Sequence, residues 1–162
     1  MQFFFGLIVG QVLENQGHRV VCADFSVEVA RRCATVGNPE WVVCDAAFPP
    51  FRPGAFDVIC DKGLLDSVFS NLDRVRLWKR LDTPFDETAR SAAEKAAQAG
   101  ITALKALERL IRPGGVWLIV SYETPTDRLS DLQKTLTNWT ITVAPWGDPD
   151  EDQHLYLCKR ET

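Results

Sequence analysis

Short β-branched runs alternate with amphipathic stretches along most of the chain, and each run closes on a turn former or an acid. Between Gly6 and Gln16, Leu7, Ile8, Val12 and Leu13 recur at helical spacing, and Gly17 stands where a helix C-terminal glycine belongs. "HRVVCAD" (18–24) predicts a strand, Ser26 an N-cap, "VEVARRCATV" a helix, and Gly37-Asn38-Pro39 its breaker. "WVVCD" (41–45) and "FDVICD" (56–61) predict two further strands, separated by a proline-rich loop. After Gly63, "LLDSVF" predicts a short helix, and residues 71–85 carry no readable period. "ETARSAAEKAAQAGITALKALERLIRP" predicts one long helix with Ala93, Ala96, Leu104, Leu107 and Ile111 on its apolar stripe and Pro113 as its stop. "GGVWLIVSY" predicts a buried strand, and "NWTITVA" and "HLYLCK" flank a polar turn as an antiparallel hairpin would. Strands separated by helices of these lengths make βαβ units. The expected class is α/β: a doubly wound, mostly parallel sheet that ends in an antiparallel hairpin, in a single domain spanning 1–162.

Composition narrows the function. The 162 residues carry a net charge of −4, which opposes general binding to nucleic acid or an anionic membrane. The opening "MQFFFGLIVG" is too short to span a bilayer and lacks the basic flank of a secretory signal. The five cysteines are an odd set without a C-x-x-C pair, so thiols in a reducing compartment are expected, and zinc is not.

Three successive strands end in acids, Asp24, Asp45 and Asp61, and in a parallel sheet such ends share one edge. The third continues as Asp61-Lys62-Gly63, with Asp66 three residues on. A carboxylate accepts two hydrogen bonds at once, which suits the paired hydroxyls of a ribose. Taken singly, each acid reads equally well as a cap or turn former. Lys62 reads equally well as a surface ion pair, and Asp66 better as a first-turn helix acid. Gly114 and Gly115 serve a turn. Trp139 and Trp146 read as packing more readily than as a peptide platform. His18 and His154 have no metal-ligand spacing, and no Ser/His/Asp or Cys/His nucleophile pattern is present.

In order along the chain, "VVCADFS", "VVCDAAFPPFRPGAFDVICDKGLLDSV", "LERLIRPGGVWLIVSYETPTDRL" and "HLYLCK" resemble the class I S-adenosylmethionine-dependent methyltransferases. The resembling branch is the seven-strand protein-lysine methyltransferases that act on citrate synthase or elongation factor 1-alpha, and the likeness runs from about Gly17 to the C-terminus. The resemblance implies an enzyme with S-adenosylmethionine as cofactor and a protein lysine as acceptor, in the cytoplasm or the mitochondrion. It puts Asp24 on the ribose hydroxyls, Phe25 against the adenine, Asp45 on the adenine amino group and the Ala46 N–H on the ring. Asp61, Lys62 and Gly63 would floor the site near the methyl group, with Asp61 as the catalytic residue. The family's glycine-rich first motif is absent: counting back from Asp24 lands on Phe3-Phe4-Phe5, with only Gly6 and Gly10 near. The expectation is therefore an N-terminally truncated sheet whose first strand is missing or a stub, and poor or no binding of S-adenosylmethionine by residues 1–162 alone. The alternative is a catalytically inactive methyltransferase-like module that binds a protein partner. A nicotinamide-dinucleotide enzyme has no use for the Asp-Lys-Gly block.

Overall fold

The computed structural model describes residues 2–4, 7–34, 39–148 and 150–162. In chain order the elements are β1 (Gln2–Phe4), α1 (Leu7–Asn15), β2 (Arg19–Asp24), α2 (Val27–Ala34), β3 (Glu40–Val43) and β4 (Phe56–Lys62). They continue as α3 (Leu64–Arg80), α4 (Glu87–Glu108), β5 (Ile111–Ser121), α5 (Pro125–Gln133), β6 (Trp139–Pro145) and β7 (His154–Arg160). The strands form a parallel ladder β1-β2-β3 and a second ladder β4-β5-β7-β6, in which only β7 runs antiparallel to its neighbours. β1 lies against β4, so the two ladders follow one another across a single doubly wound layer. The expected stub is thus present: three residues hold the place between β2 and β4. The expected breaker at Gly37 and Asn38, like the end of the preceding helix, lies outside the described residues.

Period-2 alternation decides which side chains meet which layer. Ile59, Trp117, Ile119, Tyr156 and Cys158 point to the face covered by α3, α4 and α5, where they join Phe69, Leu104, Leu107 and Leu132 in the main core. Val20, Cys22, Val58 and Cys60 point to the other face, with Leu13 of α1 and Trp41 of β3 packed on them.

Two helix expectations are corrected. The helix after Gly63 is not short: α3 runs 17 residues through the stretch that had no readable period. Its period is hidden because the buried flank is ionic as well as apolar. Arg76 makes a bidentate pair with Asp131 of α5 (2.8 and 2.6 Å), and Asp73 accepts from Arg128 at 2.8 Å. The long helix, in turn, stops at Glu108 rather than at Pro113. Ala93, Ala96, Leu104 and Leu107 line its buried stripe as expected, but Ile111 opens β5 opposite Phe56. The Pro113-Gly114-Gly115 segment is a bulge inside that strand, because the register jumps from Phe56↔Ile111 to Val58↔Val116. A Cβ on Gly115 would lie 2.8 Å from the Asp57 carbonyl oxygen and 2.9 Å from that of Arg112, so the bulge admits only glycine there.

Close packing of α3 on α4 rests on Gly100. A Cβ at that position would meet the fully buried Phe69 ring at 2.1 Å, and the Arg128 guanidinium lies over that ring, 5.0 Å from its centroid. Gly100→Ala should gain about 1 kcal/mol in helix propensity and lose about 1–3 kcal/mol or more to overpacking. The expected result is a lower urea midpoint; a raised midpoint would show that Phe69 can move aside.

Candidate active site

Parallel strands deliver their last residues to one edge, and here that edge opens into a cavity of about 1000 Å³. Asp24, Phe25, Asp45, Ala46, Asp61, Lys62 and Gly63 all line it. The seven residues singled out in the sequence are brought together, although 39 positions separate the first from the last. Asp45 is not the last residue of its strand: β3 ends at Val43, and Asp45 sits in the turn beyond.

The three acids differ in what the fold asks of them. Asp24 Oδ1 accepts the Ser26 N–H at 2.8 Å, which shapes the turn into α2. Asp45 Oδ1 accepts the Ala47 N–H at 2.8 Å in an Asx turn. Among the described residues, neither Oδ2 receives a hydrogen bond, so each carboxylate has one oxygen fixed to its loop and one left for a ligand. Asp61 is arranged differently. Its Oδ1 accepts from Leu64 N at 2.7 Å and its Oδ2 from Leu65 N at 3.2 Å, so both oxygens satisfy first-turn donors of α3. Gly63 makes that geometry possible: its φ of +84° turns the chain from strand to helix in one residue. The cap reading and the site reading of these acids therefore hold together, in different proportions at each.

Burial pushes the Asp61 carboxyl up to about 7, helped by Asp66, against the pull of the two N–H donors and Arg128. Burial also raises the Cys44 thiol, helped by Asp45 and Asp24, and raises the Cys60 thiol further, helped by Asp61. Neither cavity thiol is a nucleophile at neutral pH. The rings of Phe25 and Phe48 are 80% and 77% exposed, so two aromatic faces stand uncovered at the cavity wall.

Sequence reasoning missed the wall formed by α4. Lys95, Gln98, Thr102 and Ala103 line the cavity from that helix. The signal was a small polar stripe, 95-98-102, at helical spacing beside the apolar one. Lys62 is exposed and, among the described residues, makes no ion pair. Asp66 does more than start a helix: it accepts from Ser121 Oγ, from Tyr122 N at 3.2 Å and from Arg128 Nη2 at 2.9 Å. Trp139 is packing, buried with its indole N–H on Glu108, and Trp146 is half exposed. Among the described residues no group of His, Cys, Asp or Glu is placed to hold a metal ion, and no helix is long and apolar enough to cross a membrane.

No protein-family model and no curated protein sequence matches the chain. Solved structures do match in fold. A S-adenosylmethionine-dependent methyltransferase from Methanosarcina mazei superposes with a TM-score of 0.65 at 14% identity, over 99% of this chain and 92% of that one. A putative S-adenosylmethionine-dependent methyltransferase from Listeria monocytogenes gives 0.66 at 9% identity, over 99% and 91%. The N-methyltransferase NodS from Bradyrhizobium japonicum, crystallised with S-adenosylhomocysteine, gives 0.57 at 15% identity, over 99% and 76%. The chain has the fold of these S-adenosylmethionine-dependent methyltransferases.

The buried Asp61 and the partly buried Asp73 set a pH dependence. Asp61 titrates near 7, and burial lifts Asp73 to about 6, against an unfolded value of about 3.9. Between roughly pH 4 and pH 7 the native state holds more protons than the unfolded one, so these groups make stability fall as pH rises through that window. Urea titrations across it should show the decline. Asp61→Asn should flatten the slope while lowering stability by about 1–3 kcal/mol, since an amide cannot accept both N–H groups. An unchanged slope would contradict the assignment.

Proposed function

We propose that the chain is a methyltransferase that binds S-adenosylmethionine in this cavity and transfers its methyl group to a lysine side chain of a protein. The observation that carries the reading is the convergence of all seven candidate residues on one cavity at the carboxyl edge of a doubly wound sheet. The residues fit the ligand's chemistry. A volume of about 1000 Å³ suits a nucleoside with an amino-acid tail. The open Oδ2 atoms of Asp24 and Asp45 suit ribose hydroxyls and an exocyclic amine, and the uncovered Phe25 and Phe48 rings suit a purine face. The Asp61 carboxyl, raised by burial, gains its charge most easily beside a cation.

When bound, S-adenosylmethionine supplies a methyl group on a sulfonium sulfur: a neutral amine nitrogen forms the new C–N bond as the C–S bond breaks, the sulfur leaves as a thioether, and the product ammonium sheds its extra proton. The chain's own residues do the placing. Asp24 and Asp45 hold the adenosine end, and Asp61 with Gly63 forms the floor toward the reacting centre, where preorganised charge lowers the barrier without a covalent enzyme intermediate. Residues 5 and 6, between β1 and α1 where the family carries its glycine loop, lie outside the described residues, as do the side chains of Phe3 and Phe4. Lysine as acceptor rests on the resemblance of the Asp-Lys-Gly-x-x-Asp block to the protein-lysine branch. Cysteines that form no disulfide suit the reducing cytoplasm or mitochondrion.

Calorimetric titration tests the site. Asp24→Ala and Asp45→Ala should each weaken S-adenosylhomocysteine binding by about 1–3 kcal/mol, and no change in either would remove them from it. Charge on the sulfur gives a second handle. A sulfonium beside Asp61 lowers that carboxyl's pKa, so S-adenosylmethionine should bind more tightly as pH rises through about 7. S-adenosylhomocysteine, neutral at sulfur, should lack that rise, and Asp61→Asn should abolish it. Equal pH profiles for the two ligands would place the sulfonium away from Asp61.

A further inference from the structure

The cavity rim at Lys62, Gly63 and Leu64 has the end of a second strand as its neighbour. β4 and β5 run in parallel, and Gly63 N donates to the Val120 carbonyl at 3.3 Å, so the end of β5 stands beside the rim. Two residues beyond Val120 comes Tyr122, whose ring is 58% exposed although it is tethered at both ends. Its backbone N–H donates to Asp66 Oδ2 at 3.2 Å, and its hydroxyl accepts from Gln153 Nε2 at 2.9 Å. Each tether is itself anchored. Gln153 is buried, and Asp66 is held by Ser121 Oγ and by Arg128, whose guanidinium is wholly buried and is shared with Asp73 and Asp131. A ring more than half exposed gains little from burial, while holding its backbone N–H and its hydroxyl costs conformational freedom. The ring lies outside the cavity lining, held from the β7 side, while its backbone stands at the strand end next to Gly63; an exposed, doubly held aromatic there is the form of a contact for the part of a substrate that stays outside the cavity.

We propose that Tyr122 positions the acceptor: its ring packs along the aliphatic stem of the incoming lysine, and Asp66 is the positioning residue that fixes Tyr122 beside Gly63. The inference rests on the lysine-methyltransferase reading. Four methylene groups of a lysine match an apolar ring face, and the stem's contact leaves the terminal nitrogen free to reach past Gly63, which has no side chain to block it. The same arrangement gives the second acid of the Asp-Lys-Gly-x-x-Asp block a task. Asp61 closes the turn, and three positions past Gly63, Asp66 locks the neighbouring strand end to it.

The chain has two tyrosines, Tyr122 and the buried Tyr156, so fluorine NMR on protein carrying 3-fluorotyrosine gives one reporter at the rim and one in the core. With S-adenosylhomocysteine bound, titration with a glycine–serine peptide bearing a single lysine should move the Tyr122 resonance and leave Tyr156 in place. The same peptide with arginine in place of lysine should move it less. Asp66→Asn should shift the Tyr122 resonance before any peptide is added, with an unchanged circular dichroism spectrum reporting an intact fold, since Tyr156 itself feels the Asp66 charge. In methyl-transfer assays on the lysine peptide, Tyr122→Ala should raise KM about tenfold with little change in kcat, and Tyr122→Phe should restore most of the loss. A Tyr122 resonance indifferent to the peptide, or a KM unchanged by Tyr122→Ala while S-adenosylhomocysteine still binds, would overturn the role of Tyr122 alone. Failure of the parent chain to bind S-adenosylhomocysteine would overturn the methyltransferase reading beneath it.

Discussion

The carboxyl edge of this protein is organised by one turn, the six residues from Asp61 to Asp66. A buried strand has to become a helix there without leaving the helix's first N–H groups unpaired in the core. Asp61 meets that constraint with its two oxygens on Leu64 and Leu65, and Gly63 supplies the left-handed backbone that brings them into reach. From this turn α3 sets out at the angle that lays Phe69 on Gly100 and faces Asp73 and Arg76 toward α5. The cavity floor, the packing of α3 on α4 and the ionic layer between α3 and α5 all inherit their positions from it. A carboxylate so placed is costly to ionise, because burial outweighs its two donors, and that cost makes its charge responsive to a neighbouring cation.

The other two acids show how a single residue type serves fold and ligand at once. Asp24 and Asp45 each close a local turn with one oxygen, and among the described residues the second receives no hydrogen bond. A turn that tight holds the carboxylate still, and preorganisation of that kind reduces what a ligand must order on arrival. Exposure of Phe25 and Phe48 belongs to the same design: the loops are fixed by backbone bonds, so the rings need not be buried to be placed.

Much of this was legible in the sequence, for reasons that particular residues make plain. Strands β2 and β4 announce themselves as short apolar runs and β6 and β7 through near-alternation, and Asp24 and Asp61 stand where the apolar runs of β2 and β4 stop. The buried alanines of α4 follow from the 3.6-residue period. What escaped was polar burial. Residues 71–80 show no readable period because Asp73 and Arg76 are charged, and their partners, Arg128 and Asp131, lie 55 positions away in the chain. Local periodicity cannot see a pairing at that distance. The start of β5 was misread for the complementary reason: "LERLIRP" continues an apolar helical stripe, and only the bulge at Gly115, which needs the Asp57 backbone opposite it, reveals that Ile111 has joined the sheet. The polar stripe of Lys95, Gln98 and Thr102 lies beside the apolar one, and nothing local says that a cavity lies across from it.

The account's central claim is that the cavity at the ends of β2, β3 and β4 holds an adenosine through Asp24 and Asp45. A crystal structure of the chain grown with S-adenosylhomocysteine tests it most directly. The claim predicts the ribose hydroxyls on the Asp24 carboxylate, the adenine amino group on Asp45, and the sulfur end directed toward Asp61 and Gly63. A ligand bound elsewhere, or one lying in this cavity with its adenosine turned away from both acids, would contradict it.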